Sequence, residues 1–223
     1  MAAVKARYAQ LHFFQEGACE GFLDLNASYN GVERKDKFQV QIRTPTLPAT
    51  MPSLVETGGR TGLIARKHAI TDLRDLHCNP ATGVACLCVK QEEPKRYPAD
   101  SSLLYFVEEL VVPYLYGLSH FDEHGSWPWG EFSHGTIGIA EYYADDLSEA
   151  SEALVRSTVD LLSADRNWRE WARQISRPRP KRTCICGSGR PIVSCHRRAF
   201  IGLTKLHTDI QSLGMDVPQL LRK

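Results

Sequence analysis

The sequence lacks several features that would assign a class of protein at once. No run of apolar residues approaches the roughly 18 residues of a membrane span. Residues 1–10 contain no apolar core of the kind found in signal peptides. The formal net charge is +1, so bulk charge predicts neither a nucleic acid nor a membrane surface as partner. We therefore expect a protein without a membrane segment or an export signal.

A glycine-rich loop that could cradle the phosphates of ATP is also missing from the sequence, so any ATP-driven activation must take place on another protein. The seven cysteines are an odd number with irregular spacing, whereas disulfide frameworks of secreted proteins use even numbers. The cysteines therefore predict a reducing, cytoplasmic compartment in which thiols serve catalysis or metal binding.

The sequence does contain one stretch in which potential catalytic and metal-binding side chains are concentrated. Residues 77–88 read His-Cys-Asn-Pro-Ala-Thr-Gly-Val-Ala-Cys-Leu-Cys. Proline and glycine predict a sharp loop, which would fold the side chain of Asn79 back over the sulfur of Cys86. A thiolate can hold an acyl group as a thioester, and an amide donor can stabilise the oxyanion formed when an amine attacks it. The stretch thus predicts an acyl-transfer pair.

This stretch resembles the centre of the ubiquitin-conjugating enzymes, whose pattern is His-Pro-Asn, a short insert, and Gly-x-Ile-Cys-Leu. Here Cys78 replaces the proline and Ala85 replaces the isoleucine, which makes the chain more similar to bacterial members of the family. The resemblance implies that Cys86 carries the thioester, that Asn79 donates to the oxyanion, and that His77 orients the loop without transferring protons.

The same resemblance implies partners that the residues themselves do not reveal. Such an enzyme receives a carboxyl-terminal glycyl group from an adenylating enzyme, and it passes this ubiquitin-like or other carrier protein to an amine of an acceptor protein. Similar bacterial proteins belong to ubiquitin-like conjugation operons and to antiphage defence systems that modify a cyclic-nucleotide synthase. A non-catalytic adaptor, which uses the same fold as a protein-binding platform, is the alternative function.

The hydrophobic pattern before residue 76 predicts an antiparallel meander. A strand begins near Gly21, Asn30-Gly31 marks a tight turn, and residues 38–42 alternate between apolar and polar. Prolines at 45, 48 and 52 break the chain before a short strand over 54–57. This order is also that of the conjugating-enzyme fold, so the resemblance covers roughly residues 20–120. Residues 4–16 are compatible with either a helix or a strand.

Helical periodicity dominates from residue 101 on. Ser101 or Ser102 is suited to cap a helix, apolar residues then recur every three or four positions up to Tyr114, and Pro113 predicts a kink. Further helices are expected after residue 147. Strands followed by helices predict an α+β fold, and we assign residues 1–176 to a domain of the conjugating-enzyme type.

The polar stretch over residues 120–138 leaves two interpretations open. Its two tryptophans, Trp127 and Trp129, either pin a structural loop over the sheet or frame a pocket near Cys86 that binds a carrier or acceptor. His120 and His124 are four residues apart, which on a helix would let both reach one metal ion. No third ligand follows at a fixed spacing, so recognition of a carrier or acceptor is preferred over metal binding, and the structural interpretation stays open.

The C-terminal part contains the most specific motif. Residues 177–183 alternate proline with basic residues and predict a solvated linker. Cys184 and Cys186 then precede a glycine-containing turn that returns to Cys195 and His196. Three cysteines and one histidine form a closed ligand set for structural zinc, and the pattern resembles the SEC-C zinc hook. We expect residues 184–223 to form this hook and a helix.

Two further observations concern a basic segment and an alternative metal site. Residues 176–198 contain seven basic residues and no acidic one. They form either a solvated surface of the linker and hook or a docking patch for an acidic protein or nucleic acid. Of the two partners a protein is preferred, because no aromatics are interleaved for base stacking. His77, Cys78, Cys86 and Cys88 could also bind a second zinc ion. That alternative explains the four side chains but not the strands, prolines and helix around them, so the catalytic interpretation is preferred.

Overall fold

A computed structural model describes residues 2–14, 17–45 and 51–222 of the chain. The fold is α+β, as predicted, and it divides into two compact units. The first unit comprises Met1–Cys88 and Glu92–Gly130, and the second comprises Val89–Gln91 and Glu131–Lys223. No helix in the described part of the chain is long and apolar enough to cross a membrane.

The first unit is built on a four-stranded antiparallel sheet with the strand order β1-β2-β3-β4. The strands are β1 (Leu11–Phe13), β2 (Ala18–Tyr29), β3 (Val32–Arg43) and β4 (Ser53–Glu56). Asn30 and Gly31 join β2 to β3 with φ values of 49° and 79°, the left-handed conformation that a two-residue hairpin turn requires. The predicted meander is therefore confirmed; of the predicted prolines, Pro48 lies outside the described residues.

Alternation along the strands determines which face of the sheet is buried. Leu23 and Leu25 of β2 and Phe38, Val40 and Ile42 of β3 are at most 2% exposed, while their neighbours in sequence face away from the core. Because successive side chains of a strand point to opposite faces, one face of the sheet packs against the helices of this unit.

Several helical elements accompany the sheet. They are α1 (Ala2–Arg7), α2 (Arg60–Lys67), a 3-10 turn (Leu73–Leu76), α3 (Glu93–Arg96), α4 (Leu103–Phe106), a π-helical turn (Val107–Val111) and α5 (Val112–His124). A further 3-10 turn (Lys90–Glu92) begins in residues that belong to the second unit. The ambiguous N-terminal segment thus contains both a helix and a strand. Helix α2 was not predicted, because only Thr61, Ile64 and Ala65 of its eight residues are buried.

The predicted helix after residue 101 is continuous as far as residue 124. Ser102 caps its start, because its hydroxyl oxygen accepts a hydrogen bond from the Tyr105 amide at 3.1 Å. Where a kink was predicted at Pro113, the helix widens into the π-helical turn immediately before the proline. Insertions of this kind accommodate a residue that cannot donate within the helix.

The second unit is helical. Its elements are α6 (Thr136–Asp145), α7 (Glu152–Ser163), α8 (Trp168–Ser176), α9 (Ile192–Cys195), α10 (Arg197–Ser212) and α11 (Val217–Leu220). Trp171 of α8 and Leu203 of α10 are fully buried in one core together with Ile192 and Cys184. The sequence placed a boundary at residues 177–183, but the compact units divide after Gly130, since the cysteine-rich segment shares its core with α6, α7 and α8.

Candidate functional site

The residues of the predicted catalytic stretch form a small hairpin at the edge of the sheet. Cys78 and Ala85 face each other as an antiparallel bridge, and the Cys86 amide donates to the His77 carbonyl oxygen at 2.7 Å. The Ala85 amide donates to the carbonyl oxygen of Leu54 in β4 at 2.8 Å. The hairpin is therefore fastened to the edge strand by main-chain hydrogen bonds, and His77 and Cys86 stand opposite each other.

The thiols near this hairpin differ in their environments. Cys78 is buried, Cys88 is half-buried and Cys86 is exposed. Burial raises the pKa of Cys78, and burial with the nearby Glu93 raises that of Cys88 to about 12. The Cys86 thiol is positioned to donate to the carbonyl oxygen of Cys88, with Sγ and O 3.6 Å apart. Of these three cysteines, Cys86 alone is exposed and therefore accessible to a reaction partner.

The carboxamide of Asn79 is engaged within its own turn. Its Oδ1 accepts hydrogen bonds from the amides of Ala81 at 2.9 Å and Thr82 at 3.2 Å. Gly83, with φ of 72°, closes the turn in the left-handed region that glycine tolerates best. The side chain was expected to fold over the sulfur of Cys86; the hydrogen bonds of its oxygen instead stabilise the hairpin, and they leave the Nδ2 hydrogens available to other acceptors.

His77 occupies a special backbone position. It ends the 3-10 turn with φ of 50° and ψ of 40°, a left-handed conformation that costs free energy in a residue with a side chain. Its ring packs edge-on against that of Trp127, with ring centroids 4.7 Å apart. The backbone at the predicted site is thus held by aromatic packing as well as by the hairpin.

Two aromatic donors that the sequence did not single out for this purpose support the same backbone. The indole Nε1–H of Trp127 donates to the Asp75 carbonyl oxygen at 3.1 Å, and the Tyr114 hydroxyl donates to the Leu76 carbonyl oxygen at 3.2 Å. These consecutive carbonyls directly precede His77. We call Trp127 and Tyr114 the aromatic clamp. The Trp-Pro-Trp-Gly segment was the sequence feature that indicated buried aromatic rings here, but it does not show which backbone groups the rings contact.

Gly117 of α5 provides the space for the clamp. A Cβ atom at this position would lie 2.5 Å from Cε3 of Trp127 and 2.8 Å from Cζ2 of Trp129, far inside normal contact distance. Trp127 is only 7% exposed. Both indole rings therefore pack directly against the backbone of α5 at Gly117.

The two histidines at the end of α5 do not form a metal site. His120 bonds through Nδ1 to the Ser126 carbonyl oxygen at 2.9 Å, and Nε2 of His124 lies 3.0 Å from an Arg34 guanidinium nitrogen. Because arginine can only donate, this Nε2 is an acceptor occupied by Arg34. Arg34 also pairs with Glu123 at 2.8 Å. These contacts favour the structural interpretation of this segment.

The four predicted C-terminal ligands do converge. One ligand atom from each of Cys184, Cys186, Cys195 and His196 lies within 4.8 Å of all the others. Sγ of Cys184 is 3.2 Å from Nδ1 of His196, and the sulfurs of Cys186 and Cys195 are 3.6 Å apart. This Cys3His cluster is compatible with one bound metal ion. It is the only such group among the described residues, so His77, Cys78, Cys86 and Cys88 do not form a second one.

A two-stranded turn brings the ligand pairs together. The Cys184 amide donates to the Arg190 carbonyl oxygen at 2.8 Å, and the Ile192 amide donates to the Arg182 carbonyl oxygen at 2.9 Å. Gly187 and Gly189, with φ of 83° and 74°, form the reversal in conformations that other residues rarely adopt. The two glycines explain how four ligands within a span of thirteen residues can face one point.

The pKa values of Cys184 and Cys186 are shifted in opposite directions. Burial raises the pKa of Cys186, but hydrogen bonds from Ser188 outweigh it and lower the value to about 6. Cys195 has two polar neighbours, the Ser188 hydroxyl at 3.1 Å and an Arg190 guanidinium nitrogen at 3.3 Å. Burial raises the pKa of Cys184, which is the opposite direction. A cation among the sulfurs would resolve this conflict, since metal coordination requires thiolates.

Comparison of the chain with protein-family models, with curated proteins and with solved structures found no match. The resemblance to ubiquitin-conjugating enzymes and to the SEC-C hook therefore stays a prediction carried by the motifs and by the geometry of the two sites.

Proposed function

We propose that the chain is a bacterial ubiquitin-conjugating-like enzyme with a UBC-like first unit and a zinc-binding second unit. The observation that carries the proposal is the exposure of Cys86 on a hairpin that is hydrogen-bonded to the sheet edge. The order of elements supports it, because an antiparallel meander precedes the hairpin and a long helix follows it. A nucleophile needs both access and a fixed position, and Cys86 combines the two.

The proposed reaction has two transfer steps. The Cys86 thiolate attacks the carbonyl carbon of a carrier C-terminus held as a thioester on an adenylating enzyme, and the thiol of that enzyme leaves. An acceptor amine then attacks the new thioester, a proton leaves the nitrogen, and the Cys86 thiolate is released. Asn79 donates from Nδ2 to the oxyanion in this second step, and His77 keeps the hairpin in place.

We propose further that the Cys3His cluster binds zinc in a structural role. A closed set of four cysteine and histidine ligands is typical of structural zinc, whereas catalytic zinc keeps a position open for water. The residues that would hold it are Cys184, Cys186, Cys195 and His196. The ion would neutralise the thiolates and stabilise the turn around Gly187, because metal binding at a structural site contributes folding free energy.

A second candidate function is a non-catalytic adaptor. The observation that favours it is the engagement of the Asn79 oxygen by the Ala81 and Thr82 amides, since this bonding stabilises the turn whether or not chemistry occurs at Cys86. In an adaptor, the hairpin would display a binding surface and the cysteine would have no covalent role.

The test is to incubate the protein with ATP and with the adenylating enzyme and carrier encoded beside its own gene. The wild type should form an adduct that thiol reductant cleaves. Cys86→Ala should form none, and Cys86→Ser should trap an ester that resists reductant. Cys88→Ala is the matched control and should keep the adduct. An adduct of undiminished yield in Cys86→Ala would refute the assignment, and no adduct in any form would favour the adaptor.

A further inference from the structure

A cleft of about 570 Å³ in the second unit carries more positive charge than the structure neutralises. One wall is formed by α8 and the residues before it, with Arg166, Glu170 and Arg173. The other wall is the segment around the metal ligands, including Arg182 and Thr183. We call this space the arginine cleft. Glu170 and Arg173 are three residues apart on α8, which places their side chains on one face of the helix.

Only one of the three arginines forms a close ion pair among the described residues of the second unit. Arg173 pairs with Glu170 at 2.6 Å. Nη1 of Arg182, in contrast, is buried and donates to no hydrogen-bond acceptor within the described structure. Arg166 forms no ion pair among residues 131–222, although its charge contributes to lowering the pKa of the adjacent Asp165. The lining of the cleft therefore places three arginines against the single carboxylate of Glu170, and this excess of positive charge favours an anionic ligand.

The metal cluster does not account for these cations. Three thiolates, a neutral imidazole and a divalent ion would carry one negative formal charge. A different residue already faces that charge, because Arg190 donates to the Cys195 sulfur at 3.3 Å. Arg166 is exposed and Arg182 is half-buried, and both side chains line the space that a ligand from outside the chain would enter.

The backbone of the cleft favours a peptide as that ligand. Thr183 forms a bridge with Pro191 in the register whose hydrogen bonds are made by the flanking residues. Its own N–H and C=O make no hydrogen bond within the described part of the chain, as expected for residues that face outward from a two-stranded edge. An extended peptide can pair with such groups.

The side chains of the cleft disfavour nucleic acid. The carboxylate of Glu170 would repel a continuous phosphate backbone, and no aromatic ring lines the cleft for base stacking. A peptide avoids both conflicts, because its acidic side chains are spaced and its amide groups are neutral.

We propose that the arginine cleft binds an extended acidic peptide segment of a partner protein, with carboxylates paired to Arg166 and Arg182 and main-chain hydrogen bonds to Thr183. This inference concerns the second unit and does not depend on thioester chemistry at Cys86. The probe is a short fluorescein-labelled peptide of alternating glutamate and serine, and its binding to the zinc-loaded full chain is measured by fluorescence anisotropy.

The expected result is saturable binding that weakens with added salt, because the contacts are ionic and partly exposed. Arg166→Gln should weaken binding by about threefold or more, and Arg182→Gln by about tenfold, since its charge is the more buried. Arg156→Gln on α7 is the matched control, because Arg156 is exposed, lies outside the cleft and pairs with Glu152. Its affinity should equal that of the wild type.

Three outcomes would overturn the proposal. One is equal binding by a peptide in which glutamine replaces every glutamate. Another is tighter binding of a labelled single-stranded oligonucleotide of the same charge. The third is an affinity of Arg166→Gln equal to that of Arg156→Gln. Because Arg166 is exposed, its substitution leaves the fold intact even if Arg182→Gln fails to fold, and unchanged zinc content of each variant verifies this.

Discussion

Substitution of Gly117 by alanine tests the aromatic clamp without touching the residues that make its hydrogen bonds. Alanine in place of glycine normally stabilises a helix interior by about 1 kcal/mol. At Gly117 the added Cβ would lie 2.5 Å from a ring carbon of Trp127 and 2.8 Å from one of Trp129. The rings must move, and overpacking of this kind costs about 1–3 kcal/mol.

Movement of Trp127 adds a second cost. Its Nε1–H would leave the Asp75 carbonyl oxygen, and loss of one such hydrogen bond costs about 1 kcal/mol. The two costs exceed the gain in helix propensity, so we expect Gly117→Ala to destabilise the first unit by about 1–3 kcal/mol. The backbone at residues 73–79 should also exchange its amide hydrogens faster, because one of the two side-chain hydrogen bonds that support the 3-10 turn, that of Trp127, is lost.

Gly62→Ala in α2 is the matched control. Only a terminal nitrogen of Arg66, at 3.7 Å, would lie near its Cβ, so this substitution should stabilise the protein by about 0.5–1 kcal/mol. Urea unfolding measures the free-energy difference, and hydrogen exchange with peptide-level resolution measures the local effect. If Gly117→Ala proved as stable as Gly62→Ala, with unchanged exchange at residues 73–79, the account of the clamp would be wrong.

Three further predictions concern other parts of the chain. Gly202→Ala should destabilise the second unit by about 3 kcal/mol in urea unfolding, because its Cβ would approach the Ala140 carbonyl carbon to 2.8 Å. If its free energy of unfolding fell by less than that of a variant at an exposed glycine, the close packing of α10 on α6 at this position would be contradicted. Asp122→Asn should cost about 0.5–1 kcal/mol at neutral pH, because the hydrogen bond from Lys67 lowers the pKa of Asp122. That stability exists above the unfolded pKa of about 4 and disappears as pH falls through the lower folded value, so the difference from wild type should vanish in acid unfolding curves. Removal of metal by a chelator should expose Trp171, which shares its core with the ligands, and shift its fluorescence to longer wavelength; an unchanged spectrum after verified metal loss would argue against a structural ion.

The features that the sequence predicted well are those with local causes. The turn at Asn30-Gly31 requires two residues in the left-handed region, and Asn-Gly is the residue pair that most often adopts this conformation in hairpin turns. The cap at Ser102 and the metal ligands around Gly187 are likewise determined within a few positions. Alternation over residues 38–42 fixed the buried face of β3, since strand periodicity needs no information from elsewhere in the chain.

The features that the sequence did not predict depend on long-range contacts. Trp127 reaches the Asp75 carbonyl oxygen across 52 positions, and no local pattern encodes that distance. Trp171 shares a core with Cys184, so the proline-rich segment between them does not separate two folding units. The packing of both indole rings against Gly117 could not be predicted without the positions of the rings, because a glycine in a helix by itself indicates only lower helix stability.

The choice between Cys86 and Cys88 shows where motif and structure contribute different information. The two residues are separated by Leu87 alone, and the motif preferred Cys86 because a leucine follows it. The structure separates them by solvent access, since Cys86 is exposed and Cys88 is half-buried with its pKa raised to about 12. A thiol of such high pKa is almost entirely protonated at neutral pH and is a poor nucleophile. Burial therefore disfavours Cys88 on grounds independent of the motif, and it leaves the open sulfur of Cys86 as the one on which any acyl-transfer function of this hairpin depends.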